Sequence, residues 1–341
     1  MNPSILWSLL RQTFAEWQRD KVSRLAAALA YYTAFALAPV LVIAIAVASF
    51  LFEQSTVQGR IIEQLRGLIG ADGAEMVREM LVNAQSQDSN SFLATVVGVG
   101  LLILGASGLF IQLQDALNTV WNVKARADQG IWGLVRDRLL SFGMVLVIGF
   151  LLMVSLLLST ALTAASGLLG SNFLPGLDFF WQIANAVVAF GVIALLFGLI
   201  YKVLPDAKIG WSDVRIGAVI TALLFTIGKW LIGLYLGNSS AASAYGAAGS
   251  FVVLLLWIYY SAQILLFGAE FTQVYANRFG SHIRPDEHAT YAPDATAAER
   301  GETNLPQTRS EYKARQRTAG QRSSQSIVQP PIKPPTEPPT A

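Results

Sequence analysis

Long uncharged runs alternate with short charged segments along this chain. Residues 139 to 177, 179 to 201 and 230 to 269 contain no Asp, Glu, Lys or Arg. A soluble domain cannot solvate runs of that length, whereas a bilayer helix needs about 20 predominantly apolar residues. The pattern predicts six spans, at 25 to 52, 92 to 116, 139 to 166, 179 to 204, 214 to 236 and 248 to 274. Ahead of them, Ile5, Leu6, Leu9, Leu10, Phe14 and Trp17 recur at helical spacing. That periodicity predicts an amphipathic helix that either lies in the headgroup region or packs on the bundle's inner face.

The segment 53 to 91 carries two more amphipathic patterns. One runs through Ile61, Leu65, Leu68 and Ile69, the other through Met76, Val77, Met80 and Leu81. From about Arg284 the chain turns polar and ends in PPIKPPTEPPTA, which cannot bury enough apolar surface to fold. The expected fold is therefore an all-α polytopic membrane protein. It comprises a cytoplasmic amphipathic helix at 1–24, a six-helix domain at 25–280 with the outer segment 53–91, and a disordered cytoplasmic tail at 281–341.

Composition strengthens this picture. Hydrophobic residues make up 53% of the chain and charged residues 13%, about half the usual charged share of about 25%. The apolar part of the first span is about twice the length of a signal core, so it reads as retained. Charge gives the orientation. The segment before the first span carries four Lys or Arg, the second connection four, the fourth together with the span ends beside it three (Lys202, Lys208 and Arg215) and the segment after the last span nine, whereas the odd connections carry three, none and none. Basic residues stay on the cytoplasmic side, so a multi-pass protein of the inner membrane is expected, with both termini in the cytoplasm.

Candidate chemistry is sparse. Cysteine is absent, which removes disulfides, thiol catalysis and cysteine metal sites. The only histidines are His282 and His288, and no glycine loop precedes a Lys-Ser/Thr pair. Neither an enzyme, a cofactor nor a bound metal is expected, and a net charge of +2 implies no nucleic-acid partner. Membrane lipids are the expected partners, with a second copy of the chain or another envelope protein as further possibilities.

Charges within the spans remain. Lys229 falls about 20 Å along the fifth span and Glu270 about 30 Å along the sixth, which places them on the order of 15 Å apart in depth. Glu270 either reaches cytoplasmic headgroups or joins Asp115 and Asn118 in a polar cluster on the inner side. Lys229 either snorkels to the outer surface or lines an outer cavity with Ser239, Ser240 and Tyr245. The uncharged, hydroxyl-rich loop GNSSAASAYGAAGS favours the cavity. The pairs Ala94/Gly98, Ala194/Gly198 and Gly233/Gly237 have the small-xxx-small spacing of close helix contacts. Gly98, Gly100, Gly105 and Gly108 permit a bend near Ser107, and Pro39 a kink in the first span.

The blocks DKVSRLAAALAYYTAFALAPVL, QDALNTVWNV, LPDAKIGWSDVRIGAVITALLF and SAYGAAGSFVVLLLWIYYSAQILLFGAEF resemble the YihY/BrkB family of bacterial inner-membrane proteins. The resemblance covers about residues 10 to 280, and its last block is the most specific. It implies a six-helix inner-membrane protein. Members have carried the label ribonuclease BN and have been linked to serum resistance, envelope lipid transport or ion exchange. The ribonuclease label conflicts with this sequence, since zinc ribonucleases need histidine-rich metal motifs; it reads as a misassignment. Two classes remain, a transporter acting on envelope lipids or small ions and a membrane scaffold, and the intraspan polar groups favour the transporter.

Overall fold

The computed structural model describes residues 3–50, 52–85, 92–125, 178–238 and 248–292, together with residues 143, 151 and 154 as isolated points. Helix α1 (Pro3–Arg19) turns through Lys21, in the left-handed conformation at φ 52°, into α2 (Val22–Ala48). Then follow α3 (Gln54–Gln85) and α4 (Phe92–Val120). Asn122 at φ 54° closes α4, a position that suits Asn because its short polar side chain tolerates that region. Strand β1 (Val123–Ala125) comes next, then α5 (Asp178–Val203), β2 (Ala207–Lys208) and α6 (Trp211–Asn238). Helix α7 (Gly249–Phe279) leads into β3 (Arg284–Pro285) and β4 (Ala289–Tyr291).

Among the described residues, four helical stretches are long and apolar enough to cross a membrane: Val22–Ala48, Gln182–Val203, Trp211–Ile232 and Gly249–Phe279. Helix α4 coincides with the second predicted span, and the third predicted span lies almost wholly outside the described residues. The all-α expectation needs correction at one end of the bundle, where β1 pairs antiparallel with β4 and β2 with β3. Residues 281–292, assigned to the tail by their polarity, thereby belong to the folded unit. Short two- and three-residue ladders carry no long apolar alternation, so periodicity alone does not reveal them.

Helix α7 is the centre of the arrangement, packing against α1, α2, α3, α4 and α6. From Gly268 through Val274 every residue on it is buried, which an amphipathic helix cannot achieve and a surrounded one must. Helix α1 packs on the bundle along one side. Leu9 and Thr13 are fully buried, with Leu9 packed beside Phe271 and Val274, while Leu6, Trp7, Leu10 and Phe14 remain exposed on its other side.

At the end opposite the ladders, α3 breaks at Gly70, whose φ of 81° and ψ of 177° suit glycine alone. The two amphipathic pieces so formed bury Val57, Ile62, Ile69, Ala74, Val77 and Leu81 against α2 and α7. The expected bend in α4 is absent. The helix runs unbroken from Phe92 to Val120, and its glycines receive neighbours instead: a Cβ on Gly105 would lie 3.3 Å from Pro39 Cγ, and one on Gly108 3.5 Å from Tyr32. Gly198 likewise faces Ala218 and Val214, so the small residues of α5 seat it on α6.

Candidate functional site

The ladder end holds a junction of buried polar groups drawn from distant parts of the chain. The loop Leu204-Pro205-Asp206 ends α5 because proline cannot continue a helix. Its Asp206 is gripped from α4: Asn118 Nδ2 donates to the carboxylate at 2.8 Å, Gln114 Nε2 donates at 3.2 Å, and the Asp206 backbone N–H donates to Asn118 Oδ1 at 2.9 Å. Seven residues later, Asp213 stands in the first turn of α6, where a carboxylate suits the positive end of the helix dipole. It is 3% exposed and accepts from the backbone N–H and the Oγ of Ser281, at 2.9 and 2.8 Å. The start of α6 is thus fastened to the end of α7. A side chain on Gly280 would collide with that carboxylate.

Deeper in the bundle, α6 and α7 cross through a reciprocal pair of motifs, GAVIT at 217 to 221 and GAEFT at 268 to 272. Thr272 lies over Gly217 and Thr221 over Gly268, so closely that a Cβ on either glycine would overlap the facing hydroxyl. Each threonine donates to the carbonyl of its own motif's glycine at 2.7 Å, which removes the cost of burying the hydroxyl. Fully buried Tyr201 of α5 joins this crossing, its hydroxyl donating to Leu265 O at 2.6 Å and standing 3.0 Å from Thr221 Oγ1. Just past α4, Trp121 Nε1 donates to Ala269 O at 3.2 Å.

Glu270 sits inside that crossing motif, wholly buried, with buried Thr272 and Gln273 in the same turn. A second polar chain lies about two to three turns earlier on α7. Trp17 of α1 donates through Nε1 to Gln263 Oε1 at 3.2 Å, and Gln263 Nε2 donates to Tyr259 at 2.7 Å. At the surface, Lys208 pairs with Asp286 and Glu287 at 3.2 Å, and hydrogen bonds to those two carboxylates raise its pKa above the usual lysine value.

The residues predicted from sequence separate. Asn118 belongs to the junction, but its hydrogen-bonded partner is Asp206; Asp115 is exposed, and its backbone carbonyl accepts from Thr119 Oγ1. Glu270 does not reach headgroups, because protein encloses it on every side. Lys229 is exposed on α6, beside Trp230 at 63% exposure, whereas Gly228 is buried against Tyr260 and Ile264 of α7. Ser239, Ser240 and Tyr245 lie outside the described residues. His282 and His288 are exposed, and among the described residues no three His, Asp or Glu side chains group as a metal site would.

Nothing in the hydrophobic pattern singles out Asp206, Asp213, Tyr201 or the paired threonines. Asp206 lies in a short connection and Asp213 in the first turn of the helix that follows, where acidic residues look solvated, and the recurrence of GA-x-x-T is the signal available for the crossing.

The family model described as "Virulence factor BrkB" matches residues 13–292, ending where the described chain ends. Among similar curated proteins, a UPF0761 membrane protein of Mannheimia succiniciproducens is 28% identical over 270 residues, covering 76% of this chain and 87% of that protein. A UPF0761 membrane protein of Teredinibacter turnerae is 29% identical over 80% of this chain, and one of Xanthomonas campestris pv. campestris is 29% identical over 74%. The chain spans 61% and 58% of the length of those last two relatives. No solved structure matches.

Proposed function

The chain belongs to the virulence factor BrkB family of membrane proteins, and from that premise we propose that it is a permease-like protein of the bacterial inner membrane that moves a small ion or an envelope lipid. The observation that carries this reading is Glu270, wholly buried on the central helix with Thr272 and Gln273 beside it. A carboxyl group enclosed by a membrane domain is costly, and such residues face pathways or relays by default. With a buried hydroxyl and a buried amide in the same helical turn, it would take up and release a proton or accompany a cation as the helices around it shift. The Trp17–Gln263–Tyr259 chain extends polar character along the same helix toward the middle of the bilayer.

In this proposal the ladders face the cytoplasm and the chain crosses the membrane six times, with the third crossing supplied by residues 139 to 166. Twenty of the twenty-four Lys and Arg then fall on the cytoplasmic side. Reporter fusions after residues 128, 208 and 285 should read cytoplasm, and those after 75, 172 and 242 the outside. A periplasmic signal from the fusion at 208 overturns the six-crossing arrangement.

A scaffold reading draws on α3, whose outer face carries exposed Arg60, Glu63, Arg66, Arg78 and Glu79 available to another envelope protein. Purified protein in liposomes separates the two, with lipid translocation and ion flux recorded independently. Permease action requires one of these signals above that of empty liposomes. Their joint absence in well-incorporated protein favours the scaffold.

A further inference from the structure

At the ladder end, where α5 gives way to α6, two cations flank one half-exposed tryptophan. Lys202, in the last turn of α5, holds its Nζ 5.8 Å from the centroid of the Trp211 ring and donates to the Ile209 carbonyl. Arg215, one turn into α6, donates through Nε to the Trp211 carbonyl at 3.3 Å, which leaves its Nη groups to other acceptors. Among the described residues neither cation forms an ion pair. Asp213, between Trp211 and Arg215 in the sequence, does not neutralise them, for its buried carboxylate is turned to Ser281.

The surface that continues from these residues is apolar. Trp211 is 50% exposed, and the same stripe of α6 proceeds through Arg215 to Val219, Leu223 and Ile227, each about half exposed. From Arg215 to Ile227 the helix rises about 18 Å, slightly more than half of a hydrocarbon core about 30 Å thick. A ligand complementary to this surface has a phosphate at one end and an acyl chain at the other.

We propose that Lys202, Trp211 and Arg215 form a binding site for the phosphate of an anionic phospholipid whose acyl chain lies along Val219, Leu223 and Ile227. Arg supplies directional N–H donors to phosphate oxygens, Lys supplies a mobile point charge, and the indole ring occupies the interface between headgroup and hydrocarbon. Free phosphate satisfies the cations but leaves the stripe bare, so the lipid is the complete ligand. The site stands on membrane embedding alone and is independent of whether the protein moves a substrate.

The test is native mass spectrometry of the full chain in neutral detergent, titrated separately with phosphatidylglycerol and with phosphatidylcholine. The unaltered protein should prefer phosphatidylglycerol by about tenfold, the size expected from one or two charge-assisted hydrogen bonds. The double variant Lys202→Gln, Arg215→Gln should lose that preference, while Arg60→Gln, Arg66→Gln at the opposite end keeps it. If the double variant does not run as a monodisperse species, the single variants carry the test, each lowering the preference about threefold. An undiminished preference on removal of either cation overturns the site, as does equal loss from the Arg60/Arg66 control, which would mark diffuse attraction. Displacement of the lipid by an equal concentration of inorganic phosphate overturns it too, by identifying a free-anion site.

Discussion

At the ladder end, Asn118 holds Asp206 across 88 positions of sequence, Asp213 holds Ser281 across 68, and Tyr201 ties α5 to α7, all through partly or fully buried polar atoms. At the opposite end, α3 joins the bundle through apolar side chains and keeps its charges outside, with Arg66–Glu63 and Arg78–Glu75 as exposed pairs three residues apart on one helix. The two ends therefore respond differently to the same kind of change. A polar atom removed from the first leaves a buried partner with no water to replace it, whereas one removed from the second is replaced by solvent at once.

The contrast is sharpest at the α6–α7 crossing. Gly217→Ala or Gly268→Ala places a methyl on the facing threonine hydroxyl, and overpacking of this kind costs about 1–3 kcal/mol or more. Both variants should show a large fall in the midpoint of heat-induced loss of monodisperse protein, followed by fluorescence-detected size exclusion. Adding Thr272→Ala to Gly217→Ala should restore part of the loss. A Gly217→Ala protein as stable as the parent would mean that the helices do not cross there.

The junction itself comes next. Asp213→Ala strands the Ser281 N–H and hydroxyl, and Asp206→Ala strands the Asn118 amide; each should lower stability by about 1–3 kcal/mol. Equal tolerance of these changes and of Glu75→Gln, by the same midpoint measurement, would erase the difference between the ends.

Smaller still is the response to Lys229→Met. The side chain is exposed, so abundance and thermal midpoint should stay near those of the unaltered protein. Since the chain has no cysteine, Lys229→Cys gives a clean accessibility measurement with a membrane-impermeant thiol reagent. Labelling from outside, with Ser240→Cys as the positive control, supports a water-filled outer recess, and its failure removes that recess.

The smallest effects are those of pH on the surface pairs. Lys208 has a raised pKa, owing first to Asp286 and then to Glu287. Its contribution is complete below the unfolded lysine value and disappears as pH rises through the folded one, in the strongly alkaline range. Glu75 has a lowered pKa, chiefly from its hydrogen bond to Arg78; its contribution is present above the unfolded carboxylate value and disappears as pH falls through the folded one. Stability profiles of Lys208→Gln and Glu75→Gln should depart from the parent only in those opposite windows, and weakly.

Legibility in the sequence follows the same division. The apolar runs at Val22–Ala48 and Gly249–Phe279 and the amphipathic stripes of α1 and α3 were readable because burial against lipid or protein leaves a periodic trace. The junction leaves none. Asp206 and Asp213 are single polar letters in a charged connection, and only folding shows that α4 and Ser281 reach them. Depth along a helix separates Lys229 from Glu270 but leaves Glu270 open between headgroups and a polar cluster, since a one-dimensional estimate has no means of showing that α7 packs against five other helices. The glycines of α4 are legible as unusual and as permitting a bend, but not as a packing surface, because Pro39, which Gly105 accommodates, lies two helices away in sequence.

The central claim is that the ladder end is the working end, with Glu270 as its functional group. The most direct test reconstitutes the unaltered protein and Glu270→Gln side by side in liposomes, after establishing that both have the same thermal midpoint and incorporation. The predicted result is ion flux or lipid translocation by the unaltered protein and its loss in Glu270→Gln, a change that removes the ionisable group while keeping its size. Equal transport by the two proteins, or none by either, would contradict it.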